Sequence, residues 1–388
     1  MMSKISKREY LIEVKKKYWK TGKGRKGQLL DDFCVFTGYH RKYANELLNK
    51  PLPKKWKRYK PRVKYYDQPV TDSLKVIWES LDGICAERVH PQINSMLEKL
   101  IDCNELVICE ETKHKLLKIS LGSVKAILRK EKTRSTIRIG GTTKPGSLLK
   151  HQIAIRYGRW DEMAPGWCET DTVAHCGDTV AGSYISSLNT TDICSSWSEQ
   201  CAILNKGEKA VTEAMEDIKK RMPFKLLGLD PDNGAEFINW SLYNYCQKNE
   251  INLTRSRPYH KNDNAHVEQK NWTAIRQLVG YSRFETEEQL NILNDLYANE
   301  WRLYLNFFQP TMKLKEKIKD TQTGRTKKKY YEAKTPYQRL AEHPDVSEEQ
   351  KDMLKSVYNN LNPVKLRQQI KRKINLLKRT LKSDYFTI

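Results

Sequence analysis

A mixed α/β core, set behind all-α segments and followed by a basic C-terminal region, is the fold class that the sequence predicts, and three observations predict it. The chain has 388 residues, beyond the ~250–300 at which a single hydrophobic core stops growing, so several domains are expected. Its apolar pattern is helical in the first third, strand-like from Gly166, and then alternates strand with helix. Its charge is uneven: residues 1–70 carry 20 basic and 6 acidic side chains, whereas residues 161–310 carry 14 basic and 22 acidic.

The whole chain has 70 Lys and Arg against 47 Asp and Glu, a formal net charge of +23 that favours a polyanionic partner. A hydrophobic content of 38% excludes a disordered polycation. No stretch approaches the ~18 apolar residues of a membrane span, and Met1 to Lys20 is charged throughout rather than built around an apolar signal segment. Nine cysteines without a CxxC pair read as reduced thiols, not as a disulfide framework or zinc knuckle. The N-x-S/T tripeptides at Asn189, Asn239, Asn252 and Asn271 would matter only in a secreted protein and are treated as chance. A cytosolic location is expected. The acidic middle third fits either a solvated surface or carboxylates that hold divalent cations.

In chain order, Gly27 to Thr37 has helical apolar spacing, Gly38 stops it, and Arg41 to Asn49 resumes. Two short helices around a Gly turn form a helix-turn-helix pattern, with His40, Arg41 and Lys42 opening the second helix where base edges would be contacted. Lys50 to Lys64 is Pro-broken and basic, and its Lys54, Lys55, Lys57 and Arg58 suit an extended arm along a phosphate backbone. Asp72 to Leu100 reads as two core helices. A second bihelical unit spans Glu111 to Arg129, with Ser120 as N-cap and Lys125 and Arg129 facing outward. Each of these bihelical units also fits a plain structural hairpin. Expected divisions are 1–65 (helix-turn-helix domain with basic arm), 66–132 (second helical domain), 133–158 (linker), 159–306 (core) and 307–388 (basic DNA-binding or assembly region). With the boundary in the linker, residues 151–388 should fold alone.

The core reads as strands Trp167 to Ala174, Gly182 to Thr190 and Trp197 to Leu204, a helix Glu208 to Arg221, a strand Lys225 to Leu229, a helix around Phe237 to Lys248, a strand Ile251 to Arg255 and a long helix from about Asn264. Three antiparallel strands followed by two added through crossover helices is the order of a ribonuclease-H-like mixed five-stranded sheet flanked by helices. Its first and fourth strands are neighbours. Asp171 lies in the first, Asp232 just past the fourth and Glu268 on the last helix, so the three carboxylates can converge on one edge as hard oxygen donors for two divalent ions ~3.5–4 Å apart. Asp232 also suits a turn before Gly234. Asp230 and Asp263 are alternative ligands, Glu169 is a reserve ligand on the face of Asp171, and Asp178 reads as a turn residue. His266 reads as a core or DNA contact. Arg257 and Lys261 sit with Arg255, Tyr259 and His260 in a basic aromatic loop, and Lys270 and Arg276 on the helix beyond it could grip a DNA backbone.

Behind the core, Gln309 to Lys334 is a basic segment whose Lys327, Lys328 and Lys329 suit phosphate. Ser347-Glu-Glu-Gln350 is a capping box and Asn362-Pro363 opens a last helix with Leu366, Ile370, Ile374, Leu377 and Leu381 on one face. That face fits packing on its own chain better than a coiled pairing.

Asp-Asn-Gly-x-Glu-Phe at 232–237, the Glu of Val267-Glu268 with 35 residues between it and Asp232, and the upstream Glu-x-Asp strand resemble the DDE core of retroviral integrases and bacterial insertion-sequence transposases. The resemblance covers roughly residues 160–285. The flanking helix-turn-helix units, Phe307 to Thr311 and Lys334 to Leu340 resemble the insertion-sequence branch, and the paired-His, paired-Cys zinc domain of the viral branch is absent. The resemblance implies a transposase: Asp171, Asp232 and Glu268 as catalytic and metal residues, two Mg²⁺ ions for which Mn²⁺ can substitute, cleavage at element ends and transfer of the 3′-hydroxyl to target DNA. Double-stranded DNA and a homo-oligomer on it are the implied partners, with no membrane. A DNA-binding regulator with an inactive core and a plain metal-dependent nuclease are the rival readings.

Overall fold

Gly38, in the left-handed region at φ 69° with its N–H bonded to Cys34 O, turns the chain between two helices near the start of the computed structural model. The structure describes residues 2–51, 65–129, 154–155, 164–232, 234–255, 265–319 and 326–381. Two units divide the chain, Met1–Tyr65 and Tyr66–Ile388. The first packs α1 (Lys4–Lys20), α2 (Lys23–Thr37) and α3 (Arg41–Asn49) around Leu11, Val14, Tyr18, Leu30, Phe33, Ala44 and Leu48. The α2–turn–α3 pair is where sequence periodicity puts it, and His40 caps α3 by accepting the Lys42 N–H at 3.3 Å. Helix α1 was not expected from its run of charge. Leu11, Val14 and Tyr18 recur at helical spacing among the lysines and seat it.

In the second unit come α4 (Gln68–Ser80), α5 (Ala86–Val89), α6 (Ile93–Asp102), α7 (Glu110–Leu117) and α8 (Leu121–Leu128), the last capped by Ser120. The sheet follows: β1 (Ala154–Ile155), β2 (Trp167–Ala174), β3 (Ile185–Asp192), β4 (Ser198–Leu204), β5 (Gly228–Pro231) and β6 (Asn252–Arg255), with α9 (Glu208–Arg221) and α10 (Trp240–Lys248) as crossovers. Strand order is β1-β6-β5-β2-β3-β4. Strands β2, β3 and β4 are antiparallel, while β5 runs parallel to β2 and β6 parallel to β5. This is the mixed five-stranded ribonuclease-H-like sheet, with one addition. Ala154 and Ile155, assigned by sequence to a linker, pair in parallel with β6 as a sixth, two-residue strand.

Alternation on β2 and β3 sends Cys168 and Leu188 to one face, where α9 and α10 cover them with Val211, Met215, Ile218, Leu242 and Cys246. The opposite face receives α11 (Ala265–Lys270), which continues through a wide π turn, Asn271–Arg276, into α12 (Gln277–Val279); then α13 (Glu287–Leu296), a second π turn, Tyr297–Trp301, and α14 (Arg302–Phe308). Within the basic segment 309–334, β7 (Leu314–Lys319) pairs with β8 (Thr326–Tyr330) as a hairpin. Leu314, Glu316 and Ile318 alternate with Lys315, Lys317 and Lys319, a strand period that the charge obscures. α15 (Pro336–Glu342), α16 (Glu348–Asn360) and α17 (Pro363–Arg379) complete the unit, with the Ser347–Gln350 capping box formed. No described helix is long and apolar enough to cross a membrane. All nine cysteines are free.

The helices before the sheet and those after it share one core. Leu74, Ile77, Leu97 and Val124 belong to the same apolar cluster as Ile275, Leu293, Trp301, Phe308, Leu366 and Ile370. Tyr304 Oη donates to Ser80 O at 2.8 Å, and Lys99 Nζ donates to Tyr358 O at 2.7 Å. Beneath the sheet's other edge, buried Glu199 accepts from Trp197 Nε1 (2.9 Å), Arg302 Nε (3.1 Å) and Arg221 Nε (3.2 Å), which ties β4 to α14 and to the end of α9. Residues 151–388 alone would therefore leave half of a core open to water. Removing residues 1–65 should leave a cooperatively melting chain, whereas removal through residue 150 should give an aggregating or molten product; circular dichroism melts of the two truncations check this, and equal melts would show that α4–α8 are dispensable to the core.

Candidate active site

Asp171 sits on β2 opposite Asn189 of β3. On its other side β5 runs parallel with Glu169 opposite Asp230 and Thr170 opposite Pro231, so the next residue, Asp232, arrives level with Asp171. Neither carboxylate is in bulk water. Burial, reinforced by the charge of Asp232, pushes Asp171 up to about 7, although the Thr172 N–H (2.7 Å) and Asn271 Nδ2 (2.6 Å) donate to it. Asp232 is raised too, first by burial, while the Gly234 N–H at 2.9 Å pulls the other way.

A Cβ on Gly234 would lie 2.6 Å from Glu236 Oε2 and 2.9 Å from Asp232 Oδ1, so a larger residue there would push both carboxylates aside. Glu236 is a site residue that sequence reading left without a role. Its Oε1 accepts from Thr172 Oγ1 (2.9 Å) and Lys206 Nζ (3.0 Å). Burial would raise this carboxyl, but Lys206 outweighs burial and holds it low. Lys206, in the loop between β4 and α9, also favours the ionised forms of Asp171 and Asp232.

The helix side is oriented by amides. Gln200 Nε2 donates to Asn189 Oδ1 (3.0 Å), Asn189 Nδ2 donates to Asn271 Oδ1 (2.8 Å), and Asn271 Nδ2 then faces Asp171. Asn271 opens the π turn, a local widening often found at functional sites. Glu268 lies three residues earlier, on the helix face that Asn271 presents to Asp171, and it is exposed. Among the described residues no three acidic, His or Cys side chains stand within reach of one ion. The structure therefore assembles the Asp171–Asp232 pair and leaves Glu268 beside it, short of the three-way convergence expected from sequence. Two adjacent carboxylates with raised pKa are hard oxygen donors that fit a divalent cation, because an ion between them turns their repulsion into attraction.

The alternative ligands have other work. Glu169 Oε2 accepts the His266 and Val267 N–H groups, both at 2.9 Å, and so caps α11. Asp230 is buried and accepts from Thr254 Oγ1 at 2.6 Å. Asp178 lies in the turn after β2. Asp263 lies outside the described residues, as do Lys54, Lys55, Lys57, Arg58, Arg257 and Lys261.

Among the DNA-contact candidates, His40, Arg41 and Lys42 are exposed at the start of α3, with Arg41 paired to Asp31. Lys125 forms an ion pair with Glu87 (2.7 Å), and Arg129 is exposed after α8. Lys327, Lys328 and Lys329 are exposed on β8, Lys329 within 2.7 Å of Glu316. Two candidates are corrected. Lys270 is only 4% exposed, and burial with Arg339 and Arg88 nearby lowers its pKa to about 7, so it cannot lie along a DNA backbone in this arrangement. Arg276 is committed to the fold: Nη2 donates to Ala174 O (2.8 Å) and the guanidinium stacks over Tyr281.

A protein of Sinorhizobium fredii (strain NBRC 101917 / NGR234), "Uncharacterized protein y4rM", is 33% identical over 323 residues, which cover 82% of this chain and 91% of its own length. No family model matches the chain. Similar solved structures include the catalytic core domain of BIV integrase (16% identity, TM-score 0.30, 45% of this chain and 91% of that one). Another is the HTLV-2 integrase catalytic core domain in complex with magnesium (16%, 0.29, 42% and 94%). A third is a simian T-cell lymphotropic virus intasome in complex with PP2A regulatory subunit B56 gamma (14%, 0.30, 51% and 65%). Overlays at this level do not define a shared fold; the order and direction of the strands do.

The raised Asp171 gives a signed pH prediction. Its folded pKa, about 7, exceeds the unfolded value, so the carboxyl stabilises the fold relative to its ionised form at low pH, and that contribution is lost as pH rises from about 4 through 7. Asp171→Asn, which cannot ionise, should be more stable than wild type at pH 8 by on the order of 1–3 kcal/mol and no more stable at pH 4. Urea melts at the two pH values in chelator check it; a pH-independent difference would mean that Asp171 is not forced against a second charge.

Proposed function

This chain belongs to the same family as y4rM of Sinorhizobium fredii, and for it we propose metal-dependent phosphodiester cleavage at the ends of a mobile DNA element, followed by transfer of the freed 3′-hydroxyl to target DNA. One observation carries the reading: Asp171, midway along β2, and Asp232, just past the end of the parallel strand β5, lie level with one another, beside a helix that Asn271 ties to Asp171 and that brings Glu268 within one turn. Asp171 and Asp232 would hold Mg²⁺ or Mn²⁺, and Glu268 completes the donor set. Bound metal supplies an activated oxygen nucleophile and a counter-charge for the leaving oxygen. The chain's own residues do the rest. Glu169 fixes the start of α11, Asn271 orients Asp171, the Gly234 N–H holds Asp232, and Lys206, bonded to Glu236, favours the ionised form of Asp232. The expected strongly basic segments, with Arg41 and Lys42 exposed at the head of α3, would supply DNA binding that weakens steeply with salt.

The test is cleavage and joining of labelled terminal DNA with Mg²⁺ and a target plasmid. Asp171→Asn, Asp232→Asn and Glu268→Gln should each abolish both reactions, on the order of 10³-fold or more, with DNA binding kept near wild type. Cleavage without joining would favour a plain nuclease. DNA binding with no cleavage by wild type would favour a regulator with an inactive core, and full activity of Glu268→Gln would remove that residue from the donor set.

A further inference from the structure

A cavity of about 1370 Å³ opens on the side of α11 away from Asp171 and is bounded by the end of α4, the π turns on either side of α13, and α17. Two of its lining groups are donors with no acceptor among the described residues. Lys270 Nζ and Trp301 Nε1 are both buried, and neither has a hydrogen-bond partner among the described residues. Trp301 Nε1 can only donate, and Lys270 in its charged form has three protons to give, so an acceptor satisfies both. Buried donors left unmade are costly and rare, and two on one cavity wall mark a place shaped for an acceptor-rich guest.

Charge on the wall has the matching sign. Arg88 lines the cavity and donates Nε to Pro310 O at 2.5 Å, and Lys371 stands exposed at the rim. Arg367 is largely offset, since its Nη2 lies 2.7 Å from Asp82 Oδ1. Glu79 is the other acid lining the cavity among the described residues, so Arg88, Lys270 and Lys371 leave a positive surplus. The volume exceeds that of an inorganic ion, and Ile84, Leu278, Tyr304 and Ile374 add an apolar wall.

From these facts we propose that this cavity binds a small organic phosphate, with the phosphate on Lys270, Trp301 and Arg88 and the apolar body against Leu278, Tyr304 and Ile374. The proposal does not depend on the DNA chemistry above. A guest here would brace the helix that carries Glu268 and Asn271.

The experiment is calorimetry and thermal shift on the full chain with a nucleoside 5′-monophosphate, inorganic phosphate, the uncharged nucleoside and a short DNA duplex. The monophosphate should bind and raise the melting temperature, the nucleoside should not, and inorganic phosphate should bind more weakly at the same place. Lys270→Met, which removes a buried charge, should fold and weaken monophosphate binding by about tenfold or more. Lys371→Glu, on the exposed rim, leaves packing untouched and should weaken it less. No binding of either phosphate up to about 10 mM overturns the proposal, as does monophosphate binding unchanged in both variants. It is equally overturned if only the duplex loses affinity on Lys270→Met.

Discussion

Two carboxylates taken out of water at one place, the charge of Asp232 bearing on Asp171, are the constraint on which this molecule turns. Parallel pairing of β2 with β5 brings Asp171 and Asp232 level, in the register that seats Cys168 and Leu229 in the core below. Burial, first of all, raises the pKa of both and so disfavours their ionised forms. On the proposed reading, a hard cation between them would make the arrangement favourable. The neighbouring groups tune this rather than relieve it. Lys206 supplies partial compensation from a loop, and the Gly234 turn fixes Asp232 through its own N–H.

The polar interior of the sheet follows from the same demand. Strand β3 is buried along its whole length, yet Ser186, Ser187, Asn189, Thr190 and Thr191 occupy it. Asn189 is where that composition serves the site, because the Gln200–Asn189–Asn271 chain of amides leaves Asn271 only one orientation toward Asp171. Buried hydrogen bonds of this kind specify geometry more than they add net stability. Glu169 performs the same service from the strand side by holding the first N–H groups of α11, which makes it a positioning residue.

Much of this was legible in the chain, for identifiable reasons. Trp167–Ala174 and Glu208–Arg221 have the predicted bounds because Gly166 and Gly207 punctuate their starts. The neighbourhood of Asp171 and Asp232 followed from strand order. What could not be read depends on long-range packing. Glu169 looked like a ligand since its partners are 97 and 98 residues away. Lys270 looked like a surface cation, and only the packing of α11 against the neighbourhood of Arg88 and Arg339 shows that it is buried. Charge hid α1 and the β7–β8 hairpin, where lysines interleave with the apolar residues that set the period. Separate domains looked natural along the sequence, but α4 to α8 and α15 to α17 share their apolar faces with the helices beneath the sheet.

The central claim is that the Asp171–Asp232 pair is a cation site whose strain the ion relieves. Titration calorimetry of Mg²⁺ into the metal-free full chain near pH 7, repeated in buffers of different ionisation enthalpy, tests it most directly. The account predicts saturable binding coupled to proton release, because carboxyls with raised pKa must give up protons to the ion, and loss of both in Asp232→Asn. Binding of equal strength and equal proton release in Asp232→Asn would contradict it.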